Sequence, residues 1–186
     1  MIRPPHRSLS AWACLLVPLI LGLSLDLLTK HAAFESLVTG RVMDANGQEQ
    51  VLSRVAQPIP GLLHFQAHVN RGAVFGIAQN QRPVFVVVSI LALGLLAYLF
   101  ARSGSQRFYQ VLLGVLFGGV LGNLYDRVAF GYVRDMIYIL PNLDVFPWIF
   151  NIADSLLCTG VGGMFAYTLI HGDEPLAKAA AAPTRP

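Results

Sequence analysis

Charge is what this chain has least of. Asp, Glu, Lys and Arg make up only 12% of its 186 residues while 55% are hydrophobic, a balance that excludes an ordinary soluble domain of this size. The mean hydropathy of +0.58 belongs to a chain that lives in a bilayer. Cysteine is nearly absent too: Cys14 and Cys158 both sit inside apolar runs, where a thiol behaves as a small hydrophobe, and no disulfide is expected. No patch of interleaved aromatic and basic residues points to nucleic acid. The scattered positives behind the net charge of +3 are instead expected to set membrane topology. No Ala-x-Ala site follows the first apolar run, and Lys30, His31 and Glu35 come next. That run therefore reads as a retained span, not a removed export signal.

What the chain does have is four apolar stretches of about 17 to 25 residues, each enough to cross a hydrocarbon core of roughly 30 Å as a helix. They run over 11–28, 83–101, 108–125 and 146–170. The expected fold is an all-α polytopic membrane protein: one membrane-embedded domain over residues 1–172, then an Ala/Pro-rich disordered tail over 173–186. Arg3, Arg7, Arg102, Arg107, Lys178 and Arg185 fall on one face, which the positive-inside rule assigns to the cytoplasm together with both termini. The segment from Lys30 to Arg82 and the loop from Arg127 to Val145 then lie outside. Within that first outer segment, the residues around Asn46-Gly47 read as a hairpin, because Asn-Gly accepts the positive φ of a tight turn. Pro58, Pro60 and Gly61 break the chain before Leu62–Val69, a strand-like run. The expectation is a small extracytoplasmic β unit over about 36–79, between the first two spans.

Three acids, Asp126, Asp135 and Asp154, fall near the outer ends of the last two spans. A carboxylate one turn inside a membrane helix costs roughly 2.5 to 3.5 kcal/mol, so it marks function and needs a partner. Two carboxylates in one low-dielectric site cannot both ionise easily; one keeps a proton and acts as acid, the other as base toward a shared water. That chemistry needs no metal or other cofactor. Asn123 shares a helix face with Asp126 and Arg127, and Asp126 with Arg127 reads as a scaffold pair. Asp135 follows Gly131, whose freedom lets the chain turn back and aim the carboxyl inward. Asn151, Asp154 and Ser155 give the fourth helix a polar start.

Blander readings stand beside these. Asp154 suits a helix-start acid that complements the macrodipole, and Asp135 a solvated loop acid. His64 and His68, four apart on a strand, are too distant to share one metal ion. Asp26 and Lys30 read as an end-of-span ion pair with Lys30 snorkelling to the surface. A rival of a different class, a small four-helix proton-relay or transporter subunit, predicts acids at mid-depth along a path.

Four blocks taken together carry a resemblance. They are Asp26-Leu-Leu-Thr29-Lys30, Asn70-Arg-Gly72-Ala73-Val-Phe75-Gly76, Gly122-Asn123-Leu-Tyr-Asp126-Arg127 with Gly131-Tyr-Val133-Arg-Asp135, and Phe150-Asn151-Ile-Ala153-Asp154-Ser155. In that order, in a four-span chain, they resemble lipoprotein signal peptidase, also called signal peptidase II. The resemblance implies an intramembrane aspartic endopeptidase of the bacterial inner membrane, its active site at the extracytoplasmic face. It would act as a monomer among membrane lipids, without nucleic acid, on diacylglyceryl-modified prolipoproteins, cutting just before the lipidated cysteine. Carried over, the catalytic pair is Asp135 and Asp154. Asn70, Gly72, Asn123, Asp126, Arg127, Asn151, Ala153 and Lys30 would bind substrate or brace the pair. Met136 stands where the family usually has Phe, and the outer segment from Glu35 to Pro60 is longer than usual, with its hairpin inserted.

Overall fold

The computed structural model describes residues 8–45, 47–72, 81–141 and 148–171. The expected tail and the block from Ala73 to Gly76 lie outside the described residues, as do Arg3, Arg7 and Asn46. Among the described residues four helices are long and apolar enough to cross a membrane: α1 (Leu9–Leu37), α2 (Arg82–Arg102), α3 (Arg107–Ala129) and α4 (Ile152–His171). Their burial is inverted relative to a soluble protein. Val17, Leu21, Leu91, Leu95, Phe165 and Leu169 are exposed, while Asp26, Lys30, Gln110, Asp126 and Asn151 are wholly buried. Apolar side chains face out because the surrounding solvent is lipid, and polar ones turn inward to find partners.

Helix α3 is the central post, in contact with α1, α2 and α4. Between helices in lipid the driving force is close packing, so small residues line the contacts. A Cβ on Gly119 would meet the Ala153 carbonyl oxygen at 2.8 Å, and one on Gly122 would collide with Asp26 Oδ2. Those two glycines let α1 and α4 approach the polar end of α3. The buried face of α1, Ala11, Leu15, Gly22, Asp26 and Lys30, recurs at helical spacing and turns from apolar to charged along its length.

Helix boundaries differ from the hydropathy reading. α1 runs to Leu37, about 43 Å at 1.5 Å per residue, because the residues after Leu28 keep helix propensity and Lys30 continues the buried face. The fourth span does not begin at 146: Ile149–Phe150 is a short strand and the helix starts at Ile152. Apolar character alone cannot separate a buried strand from the helix that follows it.

The β unit between the first two spans is present. Strands β1 (Val38–Met43) and β2 (Glu49–Ser53) form a hairpin closed near Gly47, whose φ is +71°. Arg41 Nη1 bonds Glu49 Oε1 across it at 2.7 Å. The second sheet has the antiparallel order β3-β4-β5-β6, with β3 (Ala56–Ile59), β4 (Leu63–Asn70), β5 (Val133–Ile139) and β6 (Ile149–Phe150). The loop expected between Arg127 and Val145 thus supplies a central strand, in which Ile137 and Tyr138 pair with both β4 and β6. Pro58 lies within β3, an edge strand, where a missing N–H is tolerated. Both outer connections therefore meet in one sheet, and Asn70 ends β4 opposite Val133 of β5, beside Asp135.

Candidate active site

Three elements converge on one polar centre: the end of α3, strand β5 and the start of α4. Asn151 is the residue just before α4. Its Oδ1 accepts from Asp154 N at 2.9 Å, while Asp154 Oδ2 accepts from Asn151 N at 3.2 Å. This is a reciprocal capping box, which satisfies helix-start N–H groups that would otherwise have no partner. The bland reading of Asp154 as a helix-start acid is therefore correct for one of its oxygens. The other, Oδ1, accepts from Asn123 Nδ2 at 2.8 Å.

Because the Asn151 carbonyl oxygen is committed to the cap, its amide nitrogen must point the other way. It donates to Asp135 Oδ1 at 2.6 Å and to Asn123 Oδ1 at 3.2 Å. Asp135 Oδ2 accepts from Asn70 Nδ2 at 2.9 Å, and Asn70 Oδ1 in turn accepts from Gly72 N at 3.0 Å. One residue, Asn151, thus bonds both carboxylates. Asp135 is buried, and burial together with the negative charge of Asp154 pushes its carboxyl up to about 8, against opposing hydrogen bonds from Asn70 and Asn151. It is no solvated loop acid.

Beneath this pair lies a buried ionic layer. Lys30 Nζ reaches Asp26 Oδ2 at 2.7 Å, Asn123 Oδ1 at 3.1 Å and Asp126 Oδ2 at 3.3 Å, one acceptor for each of its three hydrogens. The expected ion pair with Asp26 is present, but Lys30 is wholly buried and does not snorkel, because two carboxylates hold it inside. The ammonium also fixes Asn123 with its oxygen inward and its nitrogen toward Asp154. Asp26 Oδ1 accepts from Ala153 N at 2.8 Å, so an acid of α1 caps the first turn of α4.

The scaffold pair read from adjacency is corrected. Asp126 is held by Arg134, whose Nε and Nη2 reach Oδ1 at 3.1 and 2.8 Å and whose backbone N reaches Oδ2 at 2.9 Å. Neighbours in a helix point about 100° apart. Arg127 accordingly turns elsewhere, to the carbonyls of Asn123 and Gly72 at 3.4 Å and over the Phe85 ring at 4.9 Å. Every expected site residue thus meets the network. Asp26 and Arg134 were missed, although Asp26 lies one helical turn before Lys30 and Arg134 directly precedes Asp135. Ser155 Oγ bonds only the Asn151 carbonyl, at 3.1 Å. Among the described residues no group of three His, Cys, Asp or Glu could hold a metal ion.

Comparisons with known proteins speak to the family of the whole chain. Residues 19–170 match the family model described as signal peptidase (SPase) II. The chain belongs to the signal peptidase II family. The lipoprotein signal peptidase of Clostridium novyi is 32% identical over 156 residues, covering 83% of this chain and 96% of its own. That of Halalkalibacterium halodurans is 36% identical over 115 residues, covering 60% of this chain and 73% of its own. A bacterial membrane enzyme solved by the in meso method at 2.3 Å superposes with TM-score 0.70 and 31% identity, over 85% of this chain and 89% of that one. All four blocks that carry the likeness to signal peptidase II fall in the matched span, and with them both carboxylates.

Proposed function

We propose that Asp135 and Asp154 are the catalytic pair of a membrane aspartic endopeptidase that removes signal peptides from prolipoproteins. Peptidase activity on that substrate class comes with the family; the residue roles are our reading. The observation that carries it is Asn151, whose side chain and backbone N–H hold one oxygen of each carboxylate. Charge bookkeeping supports it. Among the described residues, Asp26, Asp126, Asp135 and Asp154 share a network with three cations, Lys30, Arg134 and Arg127. One proton on the carboxylates makes the cluster neutral.

At neutral pH the pair shares that proton, since burial and the facing carboxylate push the Asp135 carboxyl up to about 8. Asp154 then draws a proton from a water that attacks the scissile carbonyl. Asp135 hydrogen-bonds the developing oxyanion, and the proton taken from water passes to the leaving amine. The resting pair titrates as a unit. Arg127 and Asn70, beside it, are placed to hold the substrate backbone.

The active site lies at the extracytoplasmic face, both termini in the cytoplasm, since Arg102 and Arg107 occupy the opposite end of the bundle. A substrate already carrying a diacylglyceryl cysteine keeps its acyl chains in lipid, which avoids about 0.8 kcal/mol for each CH₂ withdrawn. Residues 1–172 act as one domain and as a monomer; both carboxylates and the asparagines that hold them lie on one copy of the chain, so the site needs no second copy to be complete. A proton relay would spread its acids along a path; here all four gather at one end of the helices, which favours hydrolysis.

The test is incubation of the purified protein, in lipid, with a diacylglyceryl-modified precursor while following mass. Asp135→Asn and Asp154→Asn should fold, insert and lower cleavage ~10³-fold or more. Wild-type cleavage by Asp135→Asn would remove that residue from the chemistry. EDTA should leave the rate unchanged.

A further inference from the structure

Signal-peptide cleavage by an aspartic pair requires the carboxyl on β5 to stay in register with the one on α4. β6, the strand on one side of β5, has two residues. Only Phe130, Gly131 and Tyr132 join α3 to β5, and Gly131 adopts φ +85°. The approach of β5 to α3 is fixed by the next-door residue. Arg134 places Nε and Nη2 on Asp126 Oδ1 and its backbone N–H on Asp126 Oδ2, so one carboxylate grips both main chain and side chain. The guanidinium lies 4.4 Å from the Phe130 ring centre and 6.0 Å from that of Phe34, a lining supplied by the link after α3 and by α1. It also sits by the carboxyl end of α3, where a cation complements the helix dipole.

We propose that Arg134 is a positioning residue for Asp135: clamped onto Asp126, it sets where β5 presents the neighbouring carboxyl. Adjacent strand residues point to opposite faces, so Arg134 reaches down into the ionic layer while Asp135 reaches Asn70 and Asn151. It never touches substrate and acts through the backbone it shares with Asp135. A second route runs through Lys30. With the guanidinium gone, Asp126 Oδ1 has lost its two charge-assisted bonds and draws Lys30 toward itself, away from Asn123. Asn123 then no longer holds Asp154 in place.

This inference rests on the catalytic reading above, and the experiment separates the two. The full chain in lipid vesicles is mixed in saturating excess with a diacylglyceryl-modified precursor, and the single-turnover rate constant is read. With enzyme in excess, an unfolded fraction does not lower that constant. Arg134→Gln should lower it ~100-fold, as a misplacement of about 1 Å does, with the half-saturating enzyme concentration unchanged. Arg134→Lys keeps the charge without the fork and should fall between Arg134→Gln and wild type. Adding Asp126→Asn to Arg134→Gln should bring little further loss, because both break one clamp.

A wild-type rate constant for Arg134→Gln would overturn the proposal, as would full multiplication of the two losses. If Arg134→Gln does not fold, a wild-type constant for Arg134→Lys overturns it. Asp135→Asn is run alongside. If it cleaves normally the catalytic reading fails; if it is inactive while Arg134→Gln is normal, only the positioning role fails.

Discussion

The two ends of this helix bundle both bury polar groups, and they do it differently. At the end away from the carboxylates, Gln110 is fully buried. Its Nε2 donates to Ser103 Oγ at 2.9 Å and to the Gly104 carbonyl at 3.0 Å, and its Oε1 accepts from Arg107 Nη1 at 2.8 Å. Arg107 continues to Ser8 at 3.1 Å. The cluster ties the α2–α3 link to the start of α1 and, among the described residues, contains no acid. At the other end four carboxylates meet three cations, and the pair nearest the surface is bonded to asparagine amides rather than directly to a cation. Burial of polar groups is common to both ends. What distinguishes the second is a surplus of acid over base, which on the proposed catalytic reading one shared proton balances.

The comparison is tested hardest at Lys30. Lys30→Met leaves Asp26 and Asp126 without their shared cation, and breaking one side of a buried ionic network costs about 3 to 5 kcal/mol. Thermal melting in lipid should show that loss together with loss of cleavage. A protein of unchanged stability would mean the ionic layer does not hold α1, α3 and α4 together.

Next comes pH. Burial pushes the folded Asp135 carboxyl up to about 8, from 3.8 for a free side chain, so between those values the folded chain holds a proton that the unfolded chain has released. Stability therefore falls as pH rises through this window and levels off above about 8. Cleavage should also decline above about pH 8, when the shared proton is lost. Asp135→Asn removes the linkage, and its melting temperature should drop less than wild type's over the same range. A rate still rising at pH 9 would contradict Asp135 as the proton holder.

A smaller effect is expected at the Gln110 end. Gln110→Leu strips partners from Ser103 and Arg107 and should cost about 1 to 3 kcal/mol while leaving the single-turnover rate constant unchanged. A slowed rate constant there would erase the distinction between the two ends.

Much of the site could be read from residue order because polar side chains in membrane helices are costly and therefore few. Asn123, Asp126, Asn151 and Asp154 stood out for that reason, and the helical spacing put each pair on one face. Three features could not be read that way. The join of β5 to β4 pairs residues far apart in sequence, such as Asn70 with Val133 and Leu63 with Ile139, and no local pattern encodes it. Lys30 looked free to snorkel because its second acid, Asp126, arrives from another helix. Asp126 looked paired with Arg127 by adjacency, yet the turn at Gly131 carries Arg134 back to it and leaves Arg127 for Gly72 and Phe85.

The smallest expected effect is at Ser155, and it separates a polar helix start from a nucleophile. Its hydroxyl donates to the Asn151 carbonyl one turn back, at 3.1 Å, a bond that serine side chains inside helices commonly make. The same carbonyl already accepts the Ser155 backbone N–H at 3.2 Å. Ser155→Ala therefore leaves no buried acceptor unpaired, and the change should stay within about 0.5 to 1.5 kcal/mol of wild-type stability. The capping box of Asn151 and Asp154 does not use the hydroxyl, so both carboxylates keep their partners and cleavage should be close to wild type. A loss comparable to that of Asp154→Asn would place the attacking oxygen on the serine, and Asp154 would then be its orienting base.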